Sequence, residues 1–145
     1  MLIMNATQLL ALFKRGHDQL VQTICEVQLV QRDYAQAKPK IQDLYRVLLE
    51  HVSRQDQDFY NHLQQSWGGD RPTVKLLEFL VHDLKELRIA YLTFMDKHTA
   101  ELADQHPQNF PKDFSNFSQQ ILTRIKVEEE YLFPLLEKIN SAAGS

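Results

Sequence analysis

With 145 residues, 43% hydrophobic and 24% charged, and only four Gly and five Pro, the chain is sized for a single domain with a real core and is too apolar for a disordered one. A net charge of −3 and a pI near 6 argue against a general nucleic-acid binder, which carries a basic surplus. One cysteine, Cys25, cannot close an internal disulfide, so a reducing cytoplasm is the expected location, with Cys25 packed among apolar neighbours.

The first segment, Met1 to Phe13, is apolar but is followed, not preceded, by the basic pair Lys14 and Arg15. That is the wrong order for a secretory signal, and no apolar run is long enough to span a bilayer. Asn5 is a plausible cap for a helix A over 5–37. Pro39 is expected to end it and to occupy the first turn of helix B, 40–66. Gly68-Gly69 stops B, and Asp70 with Pro72 opens helix C, 72–105. Residues 106–111 read as a loop, and Asp113 or Ser115 as the cap of helix D, 114–140, which Pro134 should bend. Four long helices with short links, no strand alternation and no internal repeat predict an all-α protein. Its expected architecture is one antiparallel up-down-up-down four-helix bundle.

Polar residues interrupt the inward stripes of all four helices. In A the stripe is Leu10, Phe13, His17, Leu20, Ile24 and Val27. In B it is Ile41, Leu44, Leu48, His51 and Gln55, continued by Phe59 and Leu63. Helix C is apolar on more than one face, and one stripe holds Phe79, His82, Glu86 and Ile89. In D it is Phe114, Phe117, Ile121, Arg124, Glu128, Tyr131 and Leu135. Counted from the A–B and C–D links, placed near 38 and 109, most of these polar groups fall within about 10 Å of mid-bundle, with His82 the outlier.

A spacing of four puts both members of a pair on one helical face, a turn apart. Facing helices can then surround a small volume with imidazole nitrogens and carboxylate oxygens, a donor set suited to iron, manganese or zinc. The plainer reading is a hydrogen-bonded core histidine and an i,i+4 ion pair between Arg124 and Glu128. The permanent charge of Arg124 opposes a nearby cation and suits neutralisation of Glu128 or Glu86. A metal site and a metal-free polar network both remain open on these residues. His62, His98 and His106, near helix ends, are expected at the surface, as are Glu129 and Glu130. The chain contains no nucleophile–base pair, phosphate-binding glycine loop or dinucleotide fingerprint, so an enzyme is the least supported class.

The His-x-x-x-Glu spacing and the downstream Leu132-Phe133-Pro134 resemble the hemerythrin-type cation-binding domain, the HHE family. Gly16-His17-Asp18-Gln19-Leu20 is similar to that family's first His-bearing helix. His51 matches a metal-binding His, and Val81-His82-Asp83-Leu84-Lys85-Glu86-Leu87 matches the third ligand helix. Glu128-Glu129 stands as the family has it. Gln55 takes the place of a Glu that bridges two irons there, and Arg124 stands where a His is expected. The resemblance therefore implies at most one iron-like divalent transition metal ion, in a sensing, storage or regulatory role. His17, His51 and His82 would be imidazole ligands and Glu86 and Glu128 carboxylate ligands, with Gln55 and Arg124 as modifiers.

A second resemblance is to the regulator-of-sigma-D (AlgQ) family, helical bundles that bind the primary sigma factor. It rests on 41–53 with Tyr60, on Leu92-Thr93-Phe94-Met95-Asp96-Lys97, and on Arg124-Ile125-Lys126-Val127-Glu128-Glu129. It implies a protein partner, no direct contact with nucleic acid or membrane, and a polar core without metal.

Overall fold

The structure, a computed structural model, describes residues 5–54, 59–99 and 110–143. Among the described residues all regular structure is helical. The first helix, α1, spans Ala6–Val30. Asn5 accepts the Gln8 amide at 2.8 Å while the Gln8 side chain accepts the Asn5 amide at 3.1 Å, a reciprocal capping box. Leu9, Phe13, His17, Leu20, Ile24 and Val27 recur at helical spacing and are buried together. Cys25 faces solvent, contrary to the packed position expected of it.

α1 stops seven residues before the expected boundary. The Val30 carbonyl accepts the Asp33 amide at 3.0 Å, and Asp33 then opens α2, Tyr34–Arg54, by accepting the Gln36 and Ala37 amides. Pro39 lies inside α2. It gives up only the bond its amide would make to Ala35, which a well-capped helix tolerates near its start. The signal for the true boundary was the Asp33-x-x-Gln36 pair, a capping pattern six residues before the proline.

α3 (Tyr60–Trp67) ends at Gly68, as expected, and α4 (Arg71–Thr99) begins after Asp70, whose carboxylate accepts the Thr73 amide at 3.3 Å and the Thr73 hydroxyl. α5 (Phe110–Val127) starts four residues before the expected Phe114, with Pro111 in its first turn, where no amide is needed. A π-helical turn, Glu128–Leu132, joins α5 to α6 (Phe133–Ala143).

α1 packs on α2, α5 and α6, while α4 packs on α2, α3 and α5, so the core is shared by all the long elements. Phe13, Phe59, Phe110 and Phe114 are its largest fully buried side chains, each contributing about 1.5–3 kcal/mol through burial. The core face of α4 is Leu77, Leu80, Leu84, Tyr91 and Met95. The other apolar stripe of this helix, expected to face inward, points out: Phe79 is 64% and Ile89 62% exposed. Among the described residues no helix is long and apolar enough to cross a membrane.

Candidate metal centre

Three of the expected ligands converge. His17 on α1, His51 on α2 and Glu128 at the α5–π junction are all buried, and each offers one donor atom within 4.8 Å of the other two. Glu128 Oε1 lies 2.7 Å from His17 Nε2 and 3.2 Å from His51 Nε2. Ligand atoms around an ion bound at about 2.1 Å sit about 3.0–3.4 Å apart, a spacing that the His51–Glu128 pair meets and the His17–Glu128 pair falls just short of. The second His17 nitrogen, Nδ1, faces Glu129 Oε1 at 3.2 Å. A carboxylate on the remote nitrogen fixes ring orientation and tautomer in many histidine metal sites. Phe133 stacks on His17 with ring centroids 5.0 Å apart, and Phe13 meets His51 edge-on at 5.2 Å.

Gly16 makes room for the His51 ring. A β-carbon there would come within 2.8 Å of His51 Nδ1, closer than real contacts allow. The same junction of α1 and α2 holds a cleft of about 280 Å³, lined by Arg15, Gly16, Gln19, Glu50 and His51 among others.

The π turn sets the inward register of the last helix. Phe133 donates its amide to the Glu128 carbonyl, five residues back, just before Pro134, which has no amide to offer. One extra residue per turn brings Leu132 into the core, fully buried, and leaves Tyr131 46% exposed. An uninterrupted 3.6-residue period would place Tyr131 inside; the wider turn carries it out.

Arg124 is buried and holds the far side of the carboxylate: its Nε donates to Glu128 Oε2 at 2.7 Å. Its Nη1 donates to the Leu80 carbonyl and to Asp83, each at 3.1 Å, and its Nη2 to the Tyr60 hydroxyl at 2.6 Å. The guanidinium therefore neutralises Oε2 and leaves Oε1 directed at the imidazoles. Burial alone would raise the Glu128 carboxyl; the hydrogen bonds from His17 and His51, with the charges of His51 and Arg124, outweigh it and hold the carboxyl far below the ordinary range. Burial, reinforced by the Glu128 charge, pushes the nearby Tyr91 phenol up.

Two expected ligands are absent from this centre. His82 and Glu86 lie on the outer face of α4, 74% and 66% exposed and 3.9 Å apart. The reason is competition between two apolar stripes on one helix, won by the leucine-rich one. Gln55 lies outside the described residues, as does His106. His98, expected at the surface, is fully buried between Phe94 and Phe110. Glu129 is half exposed, in keeping with the solvated position expected of it, and still reaches His17; sequence reasoning passed over the Arg124 partners Asp83 and Tyr60. Asp83 precedes Leu84 on the true core stripe of α4, and recognising that stripe would have pointed to it.

No known family, curated protein or solved structure matches the chain.

Proposed function

We propose that this chain is a non-enzymatic, hemerythrin-like bundle of the HHE type, with an antiparallel up-down-up-down arrangement of four helical rods. α2 and α3 would form one rod, and α5, the π turn and α6 another. In this reading it acts in the cytoplasm as a sensing, storage or regulatory protein and holds at most one divalent transition metal ion. The ligands are His17, His51 and Glu128, a two-histidine, one-carboxylate set of the kind that binds iron or zinc while leaving positions open. The observation that carries the reading is the convergence of those three side chains on one buried point. The Glu129 carboxylate behind His17 supports it, because it favours the tautomer with Nε2 available to a metal.

A metal ion binds only unprotonated imidazole nitrogens, so binding should weaken as pH falls. The test is loading with iron(II), zinc(II) and cobalt(II), followed by elemental analysis and the visible spectrum of the cobalt form. One equivalent is expected in the native chain and in His82→Ala and Glu86→Ala, and well under one in His51→Ala and Glu128→Gln. Native protein that retains no stoichiometric ion removes the ligand assignment.

The hydrogen bonding of Arg124 favours a second reading. Its donors reach Glu128, Leu80, Asp83 and Tyr60, which closes the polar core without an ion. In that reading the chain is an anti-sigma regulator, and the core serves only to fix packing. It predicts association with the C-terminal DNA-binding region of the primary sigma factor. A pull-down that is blank at micromolar concentration counts against it.

A further inference from the structure

The outer face of α4 carries Arg71, Lys75, Phe79, His82, Glu86, Ile89, Thr93 and Lys97, and its two large apolar side chains are the well-exposed Phe79 and Ile89. At 100° per residue these eight positions share an arc of about 80°, opposite the buried Leu77–Leu80–Leu84–Tyr91 stripe. The spacing from Phe79 to His82, Glu86 and Ile89 is three, four, three, which reads the same in both directions. The chemistry along it is apolar, basic, acidic, apolar.

We propose that this face docks a second copy of the chain, α4 against α4, antiparallel about a two-fold axis at the level of Leu84. Such an axis pairs residue i with residue 168 − i. Phe79 then meets Ile89 of the other copy, and His82 meets its Glu86, each twice by symmetry. Lys75 meets Thr93. Arg71 and Lys97, at the two ends of the face, oppose one another, with Lys97 held by Asp113 at 2.8 Å, so the complementary charges lie at the centre. A two-fold interface requires a surface complementary to itself, and the central His82–Glu86 pairing has that property where a run of one sign would not. A parallel pairing of the same faces would set Glu86 against Glu86.

The contact is one helix pair, smaller than the roughly 1,200–2,000 Å² of a stable interface, so the dimer is a weak one. Sedimentation equilibrium from about 5 µM to about 1 mM tests it. His82→Glu sets four carboxylates at the axis and should raise the dissociation constant roughly tenfold or more. The exchanged double variant, His82→Glu with Glu86→His, restores opposite charges across the axis and should return it to near the native value. Phe79→Ser with Ile89→Ser should leave a monomer throughout, with unchanged helical circular dichroism because both side chains lie outside the core. A native chain that stays monomeric overturns the proposal and leaves the face to a helix of some other protein. A dimer indifferent to the charge exchange also overturns it, by placing the interface elsewhere.

Discussion

At the scale of single residues, the centre depends on side chains whose roles are set by what lies behind them. Gly16 is the clearest case. Replacing it with Ala should improve the intrinsic helix propensity of α1 by about 0.8–1 kcal/mol. The new methyl meets His51 Nδ1, however, and relieving that contact costs about 1–3 kcal/mol in a packed interior. The two effects nearly cancel in stability but not in geometry. Gly16→Ala is therefore expected to melt within a few degrees of the native chain, yet to bind cobalt(II) at least about tenfold more weakly, since ligand geometry is intolerant of small shifts. Calorimetric titration beside a thermal melt separates the two, and unchanged affinity would show that His51 is not a ligand.

At the scale of elements, the boundaries followed side-chain caps more closely than they followed proline. The start of α2 rests on Asp33, and Pro39 is carried in its second turn. Asp33→Ala is expected to cost about 1 kcal/mol by leaving the first amides of α2 without the cap. Pro39→Ala, which restores a missing donor, should cost less, or stabilise. Denaturant midpoints of the two variants decide between them. The reverse order would mean that α2 begins at the proline after all. The π turn before Pro134 is an effect of the same scale: one extra residue in one turn moves Leu132 inward and Tyr131 outward without altering the composition of the helix.

At the scale of the whole molecule, the end of the core between α4 and α5 should make stability depend on pH. His98 is fully buried against Phe94 and Phe110; its Nε2 faces Asp113 at 3.2 Å, and its Nδ1 has no hydrogen-bond partner among the described residues. The Tyr34 hydroxyl donates to its carbonyl, which ties α2 to the same corner. Burial lowers the His98 pKa below its ordinary 6.5, more than the opposing pull of Asp113 raises it, and the Lys97 charge adds to the lowering. The folded state then binds fewer protons than the unfolded state as pH drops through 6.5. The stability contribution of the neutral ring is complete above that value and declines as pH falls from it toward the folded pKa. Urea unfolding at pH 7.5, 6.5 and 5.5 should show this decline in the native chain and a flatter profile in His98→Phe. Equal slopes would assign the pH dependence to other groups.

The helical class, the stop at Gly68, the start after Asp70 and the inward placement of His17, His51, Arg124 and Glu128 could all be read from the chain. Each is a local matter of backbone capping or of a single unambiguous apolar stripe, and such signals lie within a turn or two of the residues they govern. The position of His82 and Glu86 could not be read in this way, because α4 offers two apolar faces and the choice between them belongs to the neighbouring helices. Nor could the burial of His98, the shift at Tyr131, or the union of Asp83 and Tyr60 around Arg124. These depend on which surfaces meet across tens of residues, where burial of a whole face outweighs the preference of any one side chain.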